Sequence, residues 1–108
     1  MLLLLTIISL LNISNQPDVE GAFEWNIDRP LKWSDFTGKI DKESPYAANC
    51  GYTITYSVNT IIENDDVFYK TNVFSIFDPR TSWTKKELQT PEILKHEQIH
   101  FDINEIHA

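Results

Sequence analysis

The stretch that decides how this chain folds is His96-Glu97-Gln98-Ile99-His100, an H-E-x-x-H sequence. Residues four apart on an α-helix lie one above the other on the same face. Two imidazoles placed in this way can bind one zinc ion from one side, and the Glu after the first His then lies near the open side of the metal. The motif predicts His96 and His100 as zinc ligands and Glu97 as a catalytic general base.

The residues before the motif favour a helix. Thr90 is a good N-cap residue, and Pro91 suits the first helical position because its missing N–H costs nothing there. Glu92 adds negative charge to the first turn, where the helix dipole favours it. Because no Gly or Pro follows Glu92, we expect one helix from about Pro91 to Ala108.

The periodicity of this helix predicts which side is buried. At about 100° per residue, the three His side chains fall together, at about 0–40°, between two apolar arcs. The arcs consist of Ile99, Ile103 and Ile106 on one side and Ile93, Leu94 and Phe101 on the other. Glu97 falls within the second arc, so we expect it and the histidines to be buried, with metal binding offsetting the cost. The predicted solvated face consists of Lys95, Gln98, Asp102 and Glu105.

The third zinc ligand is not evident, although a catalytic zinc needs three protein ligands and a water. Positions 103 and 106, where one known pattern has Gly and His, both hold Ile. His107 would lie about 10 Å along the axis from His100 on a continuous helix, too far to share an ion. Cys50 is a less favoured candidate, because a lone Cys is more often a buried apolar side chain. We therefore expect the third ligand to follow Ala108 and the domain to be incomplete at its C-terminus.

Composition limits the possible functions. The 108 residues suffice for one small domain, and 42% hydrophobic residues suffice for a core. The net charge of −7 argues against nucleic-acid partners and anionic membrane surfaces. A single Cys excludes an internal disulfide, so sulfur gives no information on compartment.

The N-terminal segment predicts export. Met1 to Leu11 is an apolar run of signal-peptide length, too short for a stable membrane span, with polar residues directly after it. We assign residues 1–15 to a signal peptide and residues 22–108 to a single exported domain, periplasmic or extracellular. The run lacks a preceding Lys or Arg, and the alternative is a buried strand or helix of the domain.

The middle of the chain has the alternation of β-strands. The predicted strands are residues 23–27, 51–62 and 67–77. Residues 63–66 form a hairpin turn, and residues 84–88 a short helical turn with Thr84 and Glu87 as a capping box. The expected fold is α+β, with a small antiparallel sheet followed by the H-E-x-x-H helix packed on it. The edge of that sheet could bind an extended peptide.

Several motifs together resemble a known family. They are Leu31-x-Trp33-x-Asp35-Phe36-x-Gly38, Ala47-Ala48, Phe77-Asp78-Pro79 with Ser82-Trp83, and His96-Glu97-Gln98-x-His100-Phe101-Asp102-Ile103 with Glu105. From about Trp25 onwards the chain resembles an exported bacterial domain-of-unknown-function family, number nine-two-two, described as metallopeptidase-like (zincin-like). The resemblance implies an exported domain with a zinc site, and in this family the helix is followed by further sequence. In the W-x-D-F element, we expect Trp33 and Phe36 to plug the sheet and Asp35 to cap backbone amides.

These observations predict a zinc-dependent metallopeptidase that acts on a peptide or protein substrate. Glu97 would accept a proton from zinc-activated water and pass it to the leaving amine. One alternative is a non-catalytic, exported cell-envelope binding module with a structural or vestigial zinc site. Another is a purely structural domain, in which the histidines are buried and neutral.

Overall fold

The computed structural model of the protein describes the backbone of residues 9–14 and the backbone and side chains of residues 19–108. These residues divide into two compact units. The first unit comprises residues 9–14 and 55–73, and the second unit comprises residues 19–54 and 74–108. The elements in chain order are β1 (Ser9–Ser14), β2 (Phe23–Glu24), β3 (Ala48–Asn49), β4 (Tyr52–Glu63), β5 (Asp66–Phe77), β6 (Trp83–Thr84) and α1 (Pro91–His107). The predicted α+β class, with antiparallel sheets and a C-terminal helix, is confirmed.

The first unit consists of paired strands. β1 runs antiparallel to β4, with Ser9 opposite Ile62 and Ser14 opposite Ser57. β4 is joined to β5 through Asn64 and Asp65, whose φ angles of 52° and 67° lie in the left-handed region. Asn and Asp tolerate that region better than other residues that carry a Cβ, which explains why the chain reverses here. The predicted strands and hairpin turn are therefore confirmed almost to the residue.

Most of the predicted signal peptide, residues 1–15, lies outside the described residues. Of this segment the structure describes Ser9–Ser14, which forms β1. Export of the protein stays a prediction. Within the part of the chain that is described, no helix is long and apolar enough to cross a membrane.

The core of the second unit is built around Phe77, the last residue of β5, which is fully buried. Its ring lies 5.0 Å from that of Phe23, 5.4 Å from that of Phe36 and 5.9 Å from that of Phe101, measured between centroids. Phe23 is brought there by β2, which pairs with β5 so that Phe23 lies opposite Phe77. Strand, loop and helix thus each contribute an aromatic ring to one cluster, where offset and edge-on contacts are favourable.

A second, smaller sheet pairs β3 with β6, Ala48 opposite Thr84. The chain between β5 and β6 holds this sheet in place through Ser82. Its hydroxyl donates to the Asp78 carbonyl at 2.6 Å and accepts from the Gly51 amide at 2.8 Å. A Cβ at position 51 would collide with the Thr81 side chain, which explains the Gly there. β3 is consequently fixed beside α1, with which it is in contact.

The helix begins as predicted. The Thr90 hydroxyl accepts a hydrogen bond from the Ile93 amide at 3.1 Å, and Pro91 occupies the first turn. The helix is unbroken from Pro91 to His107. Thr90 thereby satisfies one of the amides that have no partner within the helix.

The W-x-D-F element also forms as expected. Phe36 is buried with Trp33 against it, ring centroids 5.2 Å apart, and the Asp35 carboxylate accepts from the Lys32 amide at 2.8 Å. Arg29 pairs with the same carboxylate at 2.8 Å. Its guanidinium also lies over the Phe23 ring, 3.7 Å from the centroid. Through Arg29, the W-x-D-F element is therefore connected to the Phe23 ring of the core.

Two local predictions are wrong. The strand predicted for residues 23–27 is only Phe23–Glu24, which pairs with Phe77 and Ile76 of β5. The Trp25 amide still donates to the Ser75 carbonyl of β5 at 2.8 Å, but the chain then turns, and the Arg29 amide donates to the Asn26 carbonyl at 3.0 Å. Thr84 does not cap a helix. It belongs to β6, and the short 3-10 helix Lys86–Leu88 has Lys85 as its N-cap, without a side-chain cap. Pairing with β3 outweighed the local capping preference.

Candidate functional site

The helix presents a different face to the core than its apolar pattern predicts. Ile99 and Ile103 are each 46% exposed and Ile106 is 78% exposed. The buried residues of α1 are Glu97, Phe101 and Asn104. The prediction is right for Glu97 and Phe101 but wrong for the isoleucine arc. It is also wrong for the histidines, since His96, His100 and His107 are all exposed.

Polar contacts explain this orientation. Asp102 and Gln98, predicted to be solvated, are half-buried and take part in hydrogen bonds to the segment around Trp25 and Leu31. Asn104 is buried, and its amide donates to the Thr53 carbonyl at 3.2 Å and to the Ser75 hydroxyl at 2.6 Å. The solvated face assigned from the sequence is therefore wrong at Gln98 and Asp102, because their partners lie far away along the chain.

His96 and His100 come together at the surface as the motif predicts. Their Nε2 atoms are 3.1 Å apart, and the rings meet nearly edge to face, with centroids 4.7 Å apart. Zinc–nitrogen distances of about 2.0–2.1 Å place two ligands of one tetrahedral ion about 3.3–3.4 Å apart, which is within about 0.3 Å of the observed separation. The separation therefore fits two ligands of a single zinc ion. It also fits a hydrogen bond between the neutral rings.

The histidine pair opens onto a cleft of about 430 Å³. One wall is α1, and the opposite wall is β3 with the residues on either side of it. The lining residues are Tyr46, Ala48, Asn49, Cys50, Tyr52, His96, Glu97 and His100. Tyr46 is exposed, and the buried Ala48 closes the wall. The cleft thus has aromatic edges, and two imidazoles and a carboxyl group lie along one side.

Glu97 is the acidic group of this cleft. It is buried, and desolvation raises the pKa of its carboxyl above the ordinary value. The neighbouring His100 and His96 and the Cys50 backbone amide lower this pKa without cancelling the effect of burial. A carboxyl group with a raised pKa beside two imidazoles in one cleft is a combination typical of functional sites.

Neither of the other candidate ligands joins the histidine pair. Cys50 lines the cleft, but it is buried and belongs to the apolar core cluster with Phe77 and Phe101. Burial, and after it the charge of Glu97, raises the pKa of the Cys50 thiol to about 12. His107 lines no part of the cleft. Among the described residues, no three His, Cys, Asp or Glu side chains are grouped so that they could hold a metal ion.

Sequence reasoning missed Asn104, Gln98 and Asp102 as contacts of the helix. A signal was present for Asn104, since Asn is unfavourable in a helix interior unless its side chain has a specific partner. The facing groups are partly backbone, as at the Thr53 carbonyl and the Leu31 amide, and partly side chains far away in sequence, as at Ser75 and Trp25, so helical periodicity gives no indication of them.

Comparisons with models of known protein families, with curated proteins and with solved structures found no match. The resemblance to the domain-of-unknown-function family stays a prediction that is carried by its motifs alone.

Proposed function

We propose that this protein is a zinc-dependent metallopeptidase. The observation that carries the proposal is the convergence of the His96 and His100 Nε2 atoms, 3.1 Å apart, on a cleft that also contains the Glu97 carboxyl. In H-E-x-x-H peptidases, two His residues four apart on one helix bind zinc, and the Glu after the first His accepts a proton from the water that attacks the peptide carbonyl. Export to the periplasm or the outside of the cell is part of the same proposal.

His96 and His100 would hold the zinc, with a third ligand from outside the described residues. The metal would supply Lewis acidity and lower the pKa of a bound water to about 7. Both imidazoles are exposed, so they can exchange solvent for metal without a change in the core. Their neutral form is the one that binds zinc.

Glu97 would act as the general base. Its carboxyl lies in the same cleft as both imidazoles, next to His96 in the chain, where it can reach a water held by the metal. It would accept the proton of the attacking water and then give it to the leaving amine. A peptide is the substrate class that suits an open cleft bordered by a strand, Ala48–Asn49, and by Tyr46 and Tyr52.

The first test is metal content. Purified full-length protein, including the residues that would supply the third ligand, is dialysed against zinc, freed of excess metal and analysed for zinc per chain, beside H100A and H107A. We expect about one zinc per chain in the wild type and in H107A, and its loss in H100A. H107A is a matched control, because it removes an exposed His of the same helix that does not line the cleft. Wild-type protein without zinc would end the metallopeptidase proposal.

The second test separates binding from chemistry. Hydrolysis of a peptide library by zinc-loaded wild type is compared with that of E97Q, with E105Q as the control on the same helix. E97Q should retain zinc and lose at least a hundredfold in rate, because general-base catalysis contributes about 10²–10⁴. E105Q should behave as the wild type. Hydrolysis by E97Q at the wild-type rate would remove Glu97 from the mechanism.

A second candidate function is a non-catalytic binding module. It is favoured by the first unit, where Val67, Phe68, Tyr69 and Val73 of β5 are between 48% and 71% exposed. Exposed aromatic side chains on a strand are typical of surfaces that bind another protein. Stoichiometric zinc in the wild type without hydrolysis of any peptide would favour this function over the peptidase.

A further inference from the structure

We propose that Trp25, Gln98 and Asp102 are positioning residues that set the rotation of α1 and so direct His96, Glu97 and His100 into the cleft. The part of this inference that concerns zinc rests on the proposed function. The part that concerns the rotation of the helix does not. We call these three residues, with the Leu31 amide, the helix brace.

The helix brace consists of three hydrogen bonds that meet at two successive turns of α1. The Trp25 indole Nε1 donates to Asp102 Oδ1 at 2.9 Å, and Gln98 Nε2 donates to the same oxygen at 2.8 Å. Gln98 Oε1 in turn accepts from the Leu31 amide at 2.7 Å. Gln98 and Asp102 are four residues apart, so the segment that contains Trp25 and Leu31 is fastened along one line of the helix.

The helix needs such a device because its apolar side chains do not define one orientation. Phe101 is almost completely buried, but Ile99, Ile103 and Ile106 lie on the exposed side. Turning α1 about its axis to bury those isoleucines would gain apolar contact on their side but would withdraw the buried Phe101 ring from the core. The same turn would break the brace and leave half-buried polar groups without partners. The brace and the Phe101 ring therefore act together to select the observed rotation over the one that buries the isoleucines.

The brace lies away from the reacting groups. At about 100° per residue, Gln98 and Asp102 are roughly 200° and 240° around the helix from His96. Trp25, Gln98 and Asp102 do not line the cleft. They consequently have no direct contact with a substrate there, and their effect on the site is exerted through the orientation of α1. On the other side of the helix, the buried Asn104 amide adds a contact to the Thr53 carbonyl.

The zinc test uses D102A, W25F and the conservative D102N. The measured quantity is the dissociation constant for zinc alone, by competition with a chelator. We expect D102A and W25F to bind zinc about tenfold more weakly, as is usual for partners that orient metal ligands. D102N keeps an acceptor for the Trp25 indole and should bind within a factor of about two of the wild type. D35A is the control, because the Asp35 carboxylate bonds to the Arg29 guanidinium and the Lys32 amide and to no described residue of α1.

A merely structural role would give a different pattern. D35A should lower the thermal midpoint and leave the zinc dissociation constant unchanged. If D102A and W25F likewise lost thermal stability but kept wild-type zinc affinity, the brace would not be a positioning device. If D102A failed to fold, W25F would decide, since it removes one donor and leaves the Gln98–Asp102 pair.

A metal-free measurement tests the rotation itself. Methyl groups of Ile99 and Ile103 are observed by NMR in the presence of a soluble paramagnetic agent, which relaxes exposed methyls fastest. We expect strong relaxation in the wild type and D102N, and at least a twofold decrease in D102A and W25F as the isoleucines turn inward. Unchanged relaxation in D102A and W25F would overturn the inference. If the wild type bound no zinc, the proposed function would fail and this measurement alone would decide the role of the brace.

Discussion

The two units of the molecule are built in opposite ways. The second unit contains all the buried apolar side chains of the described residues, and they surround Phe77 and Phe101. In the first unit the only buried side chain described is Thr55, and its hydroxyl has no hydrogen-bond partner. Yet β4, β5 and the turn between them follow the sequence pattern closely, although β1 falls in the predicted signal peptide, whereas the second unit departs from its pattern in several places. The structure of the first unit thus depends mainly on local sequence pattern, and that of the second unit mainly on tertiary packing.

The two units should differ in how strongly substitutions affect their stability. A strand pair with exposed faces depends on turn geometry and backbone pairing, so single side chains matter little. A core that joins distant segments depends on each side chain, because the loss of one leaves a cavity or an unpaired group. We therefore expect substitutions of the same kind to have unequal effects in the two units.

The largest effect is expected from the core aromatic. F77A should lower the free energy of unfolding by about 3–5 kcal/mol, whereas F68A in the first unit should lower it by less than about 0.5 kcal/mol. Phe77 is fully buried and Phe68 is 53% exposed. The measurement is urea denaturation followed by tryptophan fluorescence. If F77A does not fold, F77L should be folded and destabilised by about 1 kcal/mol or more. Equal losses of stability for F77A and F68A would contradict the expected difference between the two units.

The next effect is expected from the buried amide of α1. N104A removes the donor to the Thr53 carbonyl and the Ser75 hydroxyl, so it should cost about 1–3 kcal/mol of stability. N59A, which changes a half-buried Asn of β4 in the first unit, is the control and should cost less than about 1 kcal/mol. Thermal unfolding by circular dichroism measures both. A larger loss of stability for N59A than for N104A would contradict the expectation that the first unit is less sensitive to substitution.

A pH-dependent effect is expected at Asp35. Burial raises the pKa of its carboxyl, but the hydrogen bonds from the Arg29 guanidinium and the Lys32 amide, with their charges, outweigh burial and lower it. Because the folded pKa lies below the unfolded value of about 3.9, the group stabilises the fold above that value and the contribution is lost as pH falls through the folded pKa. D35N should be less stable than wild type at pH 7 by about 1 kcal/mol.

The check on Asp35 is thermal unfolding of wild type and D35N between pH 7 and pH 2. The difference between the two proteins should shrink below about pH 4. D66N, an exposed Asp at the start of β5, should match the wild type across the range. A difference for D35N that is independent of pH would mean that the charge of Asp35 is not what stabilises the fold.

The smallest effect is expected in the turn of the first unit. D65G should stabilise the hairpin by about 0.4–1 kcal/mol, because Asp65 has a φ of 67°, which Gly adopts at no steric cost. Amide hydrogen exchange of β4 and β5 should slow, with little change in α1. The control is T71G in the middle of β5, which should accelerate exchange there. Faster exchange in D65G would mean that the Asp side chain contributes more to the turn than its backbone strain costs.

The sequence predicts what depends on near neighbours. The Thr90 cap acts on the Ile93 amide, three residues away. The turn at Asn64 and Asp65 and the approach of His96 to His100 likewise involve residues within one or two turns of each other. Propensity, capping and helical spacing govern such contacts, and all three can be evaluated from the amino-acid sequence alone.

The sequence did not predict the contacts that decide the rotation of α1. The pattern of apolar residues places Ile99, Ile103 and Ile106 on a buried arc, and it places Gln98 and Asp102 in solvent. In the structure the indole of Trp25, 77 residues away, reaches Asp102 instead. A polar side chain of the helix is buried when a distant donor or acceptor is there to satisfy it, and helical periodicity contains no information on that.

The helix with its H-E-x-x-H motif, the hairpin and the antiparallel α+β class could be predicted from the sequence, because each follows from interactions over a few residues. The buried face of the helix, and the position of β3 as the opposite wall of the cleft, became evident only from the folded structure. Those features depend on the pairing of polar groups and the packing of rings between distant segments. The free energy of such contacts is fixed by geometry that exists only once the chain has folded.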